Sequence, residues 1–236
     1  MYDVVINDWG ETTYVPTTAG KIVLAVILLA LLTGAVLFAR KYAAKQTVGD
    51  DAAAERKSNG KLTVKQLVFC AMAIALGTVL SNLKLFHFPT GGSITLFSML
   101  IICLPGYFFG LAAGLLTGVA YGILQLLIDP YVLFPMQLVV DYLLAFGALG
   151  LSGLFCNARH GLLKGYIAAV LGRYLFAVIS GWIFFGSYAW EGWGALPYSL
   201  VYNAVYIFAE AVITVIILMI PAVNKGLARI KSMALS

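Results

Sequence analysis

The sequence predicts an all-α integral membrane protein, and three observations carry that prediction. Hydrophobic residues make up 62% of the chain and charged residues 11%, which leaves too little polar surface for a soluble domain of this length. The apolar residues fall in blocks close to the ~20 residues that a helix needs to cross a bilayer core. Those blocks are long and continuous, unlike the alternating pattern of a barrel wall. Mean hydropathy is +0.96, and about seven membrane helices are expected.

Residues 1–45 form the first unit. Residues 1–20 are polar and aromatic and carry Asp3, Asp8 and Glu11; Ile22 to Ala39 are an apolar run, followed by Arg40, Lys41 and Lys45. A secretory signal peptide has its basic end first. Here the acidic end leads, so an uncleaved helix with its N-terminus outside is expected. Residues 46–61, opening QTVGDDAAAERKSNG, read as a polar cytoplasmic linker.

Residues 62–236 form the main unit, with six spans expected near 63–84, 94–109, 111–128, 132–155, 164–185 and 198–221. Lys57, Lys61 and Lys65 precede the first of these, Arg159 and Lys164 lie between the fourth and fifth, and Lys225, Arg229 and Lys231 follow the sixth. Basic junctions mark the cytoplasmic side. The opposite junctions carry Lys84, His87, Asp129 and Glu191 without a basic excess, so this unit is expected to begin and end in the cytoplasm. Gly110, Gly114, Gly118 and Gly122 recur every fourth residue, a ridge along which another helix can approach closely. Gly147, Gly150 and Gly153 are expected to serve likewise.

The same placement of charge argues against nucleic acid as a partner, although the net charge is +5. Cys70, Cys103 and Cys156 lie in separate apolar segments without metal-ligand spacing and read as buried thiols. His87 and His160 fall on opposite sides of the membrane, and no arrangement of Ser, Cys or HExxH chemistry accompanies them. Neither catalysis nor a metal or other cofactor is therefore expected. No Walker A sequence is present, so the chain does not itself couple ATP hydrolysis through a P-loop.

Ionisable groups inside a membrane call for a partner or a function. Arg173 lies twelve residues from the outer end of its span, and Glu210 twelve residues from Tyr198 at the outer end of the next. At ~1.5 Å per residue both sit roughly 18 Å deep, and a structural ion pair between them is expected. Asp141, next to Tyr142, has no such partner. It reads either as a hydrogen-bonded structural carboxylate or as the counter-charge of a cationic ligand.

The outer connection at 181–203, GWIFFGSYAWEGWGALPYSLVYN, holds Trp182, Phe184, Phe185, Tyr188, Trp190, Trp193, Tyr198, Tyr202 and Asn203. Interfacial belts explain part of this aromatic content. Aromatic faces beside a carboxylate also suit a flat, positively charged heterocycle. The first outer loop, PTGGSITL at 89–96, can bring backbone amides close to such a ligand.

Three stretches carry a resemblance to a known family: GGSITL (91–96), DYLLAFGALGLSGLF (141–155) and SGWIFFGSYAWEGWGALPYSLVYN (180–203). Together they resemble the thiamine-specific S-components (ThiT family) of energy-coupling factor (ECF) transporters, over residues 62–222. The resemblance implies a six-helix S-component core with one added N-terminal helix, in the cell membrane, binding the vitamin thiamine in an outward-facing pocket. It implies as partners a transmembrane coupling protein and two ATPase subunits. The family's contacting carboxylate and following Tyr match Asp141 and Tyr142, its pocket glycine Gly181, and its last motif Tyr198 and Asn203. Trp182 and Phe185 are expected to stack on the ligand, with Ser93 at the first outer loop. Ala71 and Ala75 match the spacing of an AxxxA motif that meets the coupling protein.

The chain also departs from the family. A histidine four residues before Gly181 is Ala177, the family Glu is Asp141, a pocket Trp is Phe185, and a loop Trp near Gly92 and Ser93 is absent. These changes leave room for a related ligand such as a thiamine precursor. A stand-alone carrier with Asp141 or Glu210 as proton relay is the alternative of a different class.

Overall fold

In the computed structural model the described residues are 2–6, 12–19, 62–88 and 92–236. The expected helix at 22–39, the linker at 46–61 and residues 89–91 of the first outer loop lie outside them. Near the N-terminus, β1 (Tyr2–Ile6) pairs antiparallel with β2 (Thr12–Pro16), a hairpin that the polar composition of this stretch did not predict.

The first described membrane helix, α1 (Val64–Asn82), starts at a reciprocal cap. Gln66 N donates to Thr63 Oγ1 at 3.2 Å, and Thr63 N donates to Gln66 Oε1 at 3.0 Å. Two otherwise orphaned helix donors are thereby satisfied. A short antiparallel hairpin follows, β3 (Lys84–His87) and β4 (Ser93–Thr95). Then come α2 (Ser98–Phe109) and α3 (Leu111–Ile128), joined at Gly110, whose φ of 92° only glycine adopts readily.

The helical segment α4 (Pro135–Phe155) is not uniform. Its turns are wide and π-type over Leu138–Leu144 and tight and 3-10-type over Ala148–Phe155. Asp141 lies inside the widened stretch, the kind of irregularity that often marks a functional site. The bundle closes with α5 (Gly161–Phe184) and α6 (Ala195–Leu218). Five of these helices are long and apolar enough to cross a membrane. At twelve residues, α2 spans only ~18 Å.

Two glycine rows bring α3 and α4 together. A Cβ at Gly114 would stand 2.7 Å from Gly150 O, and one at Gly118 2.5 Å from Phe146 O; one at Gly122 would overlap Tyr142 O. The expected ridge is real from Gly114 onward, while Gly110 serves as the hinge. Gly150 and Gly153 face the backbone of α3 equally closely. Around this seam the core packs Met99, Ile102, Cys103, Tyr121, Leu149, Tyr166, Ala169 and Ile207. Cys70, Cys103 and Cys156 are free thiols, the first two buried.

The basic tail is a further helix, α7 (Pro221–Leu235). It folds across the basic end of the bundle, where Lys65 Nζ donates to Met233 O at 2.7 Å and Lys231 donates to Cys156 O beneath the Tyr107 ring. Val223 and Leu227 pack on the core and Lys225 and Arg229 are exposed. The sequence analysis used these basic residues only as a marker of the cytoplasmic side and did not predict this helix.

Candidate functional site

At the end of the bundle opposite α7, a cavity of about 190 Å³ opens between the β3–β4 hairpin and the ends of α4, α5 and α6. Its wall includes Asp141 and Tyr142 from α4, Gly181 from α5, Phe185 just beyond it, Tyr198 and Asn203 from α6, and Ser93 from β4. Three segments far apart in sequence thus converge as the aromatic and acidic motifs suggested.

The floor and sides of the cavity are fixed by hydrogen bonds. Gln137, one turn before Asp141 and so on the same helix face, accepts from Leu133 N at 2.8 Å and donates to Tyr131 O at 3.0 Å. It thereby holds the loop that leads into α4. Tyr142 OH accepts from Tyr131 N at 2.8 Å, and the Tyr131 ring lies nearly parallel to Phe185 at 6.1 Å. On α6, Ser199 donates to Val178 O at 2.8 Å, Asn203 Nδ2 donates to Ser199 O at 2.8 Å, and Tyr206 donates to Asn203 Oδ1 at 2.7 Å. Tyr198, Tyr202 and Tyr206, four residues apart, form an aromatic ladder with ring centroids 5.5 and 5.9 Å apart.

The hairpin covers the mouth. Gly92 N donates to Tyr202 OH at 3.4 Å, Phe88 packs on Tyr202 and Tyr206, and Ser93 pairs with His87 at 2.7 Å. At the rim Lys84 and Asp129 form an ion pair of 2.5 Å, with side chains 32% and 60% exposed.

Asp141 is half-buried and reachable from the cavity. Ser180, Gln137 and Arg173 line the same cavity. Among the described residues no cation lies within ion-pairing distance of it, because Lys84–Asp129 is the one such pair.

Two expectations need correction. Arg173 and Glu210 do not form an ion pair. Arg173 lines the cavity with its guanidinium 4.4 Å above the Phe146 ring, a cation–π contact. Glu210, 4% exposed, instead accepts from Thr95 Oγ1 at 2.6 Å, Met99 N at 2.9 Å and Ser98 Oγ at 3.3 Å. Equal depth on neighbouring helices left their angular positions undetermined, and donors at the end of β4 and the start of α2 satisfy Glu210. Trp182 is 53% exposed and lies outside the cavity wall. Gly181 faces the cavity, and the next residue on a helix points about 100° away, so Trp182 belongs to the outer surface. Trp190 and Trp193 are exposed as well, edge to face at 5.1 Å.

Ala71 and Ala75 are exposed on α1, away from the cavity. The sequence reading missed Gln137, Tyr131, Arg173, Tyr206, Thr95 and Ser98 as cavity residues. For Gln137 and Tyr206 the helical spacing from Asp141 and Tyr202 was an available signal. No group of His, Cys, Asp and Glu suited to a metal occurs among the described residues.

Comparison with known proteins bears on this arrangement. Residues 67–228 match the family described as "Thiamine transporter protein (Thia_YuaJ)". "Thiamine transporter ThiT" of Bacillus subtilis (strain 168) is 38% identical over 144 residues, which is 55% of this chain and 74% of that protein. A protein of the same description from Lacticaseibacillus paracasei is 30% identical over 125 residues, 46% of this chain and 62% of its own. A solved structure of ThiT from Listeria monocytogenes superposes with a TM-score of 0.55 at 26% identity, covering 67% of this chain and 96% of that one.

Proposed function

The chain belongs to the thiamine transporter family, and on that premise we propose that it captures thiamine in the cavity between α4, α5 and α6 for import. The observation that carries this reading is Asp141, a membrane-embedded carboxylate open to an aromatic-walled cavity with no cation paired to it among the described residues. Thiamine is a flat cation joined to an aminopyrimidine. Asp141 supplies the counter-charge that desolvating the cation requires, and Phe185 and Tyr131 supply parallel aromatic faces. Tyr142, Tyr198, Asn203 and Ser93 offer hydrogen bonds around the rings, and Gly181 lets Ser199 and Asn203 pack closely at the wall.

In this reading the protein is the substrate-binding subunit of an ECF importer. The coupling protein and two ATPases provide the energy, and the exposed Ala71–Ala75 face of α1 meets the coupling protein. The cavity faces outward, the α7 end faces the cytoplasm, and the N-terminus lies outside. The small side chain of Ala177 in the cavity wall favours one second reading, in which a thiamine precursor is the cargo. Asp141→Ala tests the main proposal. The variant is expected to stay folded and lose saturable thiamine binding; unchanged affinity would remove the charge-pairing role.

A further inference from the structure

Glu210 lies behind the cavity wall rather than in it, yet it holds the hydroxyls of two residues that line the cavity. Thr95 and Ser98 both line the cavity, at the end of β4 and the start of α2. Phe97 between them takes a left-handed φ of 59°, which turns the chain sharply into α2. Glu210 reaches across from α6 and caps this corner through Met99 N, 2.9 Å from Oε1.

Three oxygen–oxygen contacts close the cluster. Thr95 Oγ1 is 2.6 Å from Glu210 Oε2, Ser98 Oγ is 2.7 Å from Thr95 Oγ1, and Ser98 Oγ is 3.3 Å from Glu210 Oε1. Each hydroxyl has one proton, and a carboxylate only accepts. The two short contacts are satisfied together when Ser98 donates to Thr95 and Thr95 donates to Glu210. Both protons are then spent inside the cluster, and what remains toward the cavity are lone pairs. This stretch of wall therefore accepts hydrogen bonds and does not donate them.

We propose that Glu210 is a positioning residue for ligand selectivity. By holding the Thr95 and Ser98 protons, it makes the wall select a ligand that presents an N–H donor there. The proposal rests on the thiamine reading, in which the donor is the amino group of the aminopyrimidine. A carbonyl at the same place would meet lone pairs and be rejected, since an unpaired buried polar group costs more than a hydrogen bond contributes. Glu210→Gln reverses the polarity. The amide oxygen still accepts from Met99 N, while its NH2 donates to Thr95 and frees a hydroxyl proton for the cavity.

The test is calorimetric titration of the purified protein with thiamine and with oxythiamine, in which a carbonyl replaces the pyrimidine amino group. Wild type, Glu210→Gln and Thr95→Val are compared, with thermal unfolding as the check on folding. Wild type is expected to prefer thiamine. In Glu210→Gln the ratio of the two dissociation constants is expected to fall about tenfold or more. Thr95→Val, which removes the hydroxyl but keeps its shape, is expected to lower the ratio too, and it decides the matter if Glu210→Gln does not fold. Weakening of both ligands by the same factor, with the ratio unchanged, would make Glu210 a purely structural residue and overturn the proposal. Failure of wild type to bind thiamine would instead overturn the underlying assignment of cargo.

Discussion

Gly181→Ala places one methyl group where the cavity wall has no space for it. The new Cβ would overlap Ser199 Oγ and stand 3.0 Å from Asn203 Nδ2. Ser199 and Asn203 are 1% and 6% exposed, so neither side chain can swing into solvent. Ser199 must rotate its hydroxyl away and give up the 2.8 Å bond to Val178 O and the 3.1 Å bond from Asn203 Nδ2. Leaving one or two buried neutral groups poorly paired costs about 1–3 kcal/mol of stability, and the displaced Ser199 and Asn203 side chains should also weaken thiamine binding severalfold, on the order of 1 kcal/mol or more. Calorimetric titration with thiamine measures this, and thermal unfolding separates it from loss of the fold. Ser199→Ala in the same chain removes the overlapping oxygen, while Asn203 Nδ2 keeps its 2.8 Å bond to Ser199 O. The double variant should therefore bind better than Gly181→Ala alone, a non-additivity typical of residues in contact. Affinity of Gly181→Ala within twofold of wild type would refute the close packing argued for Gly181, Ser199 and Asn203.

Other perturbations separate the remaining roles. Phe185→Ala should weaken thiamine binding by about 1 kcal/mol or more through lost stacking, whereas the exposed Trp182→Ala should leave affinity within twofold; titration of both reads the contrast. Gly118→Val forces a side chain against Phe146 O on α4 and should lower stability by about 1–3 kcal/mol, visible as a lower midpoint of thermal unfolding. Asp129→Asn breaks a rim ion pair that solvent screens, so stability should change by under ~1 kcal/mol, with little salt dependence left in the variant. Uptake by proteoliposomes should require the coupling protein, the ATPases and ATP. Uptake by this chain alone under a pH gradient would favour a secondary transporter.

Helix positions were legible because apolar block length and Gly spacing are local properties. The third expected span, 111–128, coincides with α3, and the others shift by a few residues. Asp141 was legible as a cavity residue because a carboxylate inside a membrane is costly without a purpose, the aromatic cluster that holds Phe185 pointed to the same wall, and Tyr142, Tyr198 and Asn203 came through the family resemblance. Angular position was harder to read. Trp182 shares its motif with Gly181 and Phe185 yet points away, because the helix turns between neighbours. Glu210 was assigned the wrong partner because its real ones, Thr95, Ser98 and Met99, are over a hundred residues distant in sequence and donate from the end of β4 and the start of α2, which only the folded chain brings to it. The widened turns around Asp141 were not read from the sequence either.

The most direct test of the central claim is calorimetric titration of the purified protein with thiamine, run beside hydroxymethylpyrimidine and riboflavin. The account predicts saturable one-to-one binding of thiamine, weaker binding of the pyrimidine because it lacks the cation that Asp141 balances, and none of riboflavin. Well-folded protein that binds the pyrimidine but not thiamine, or neither, would contradict it.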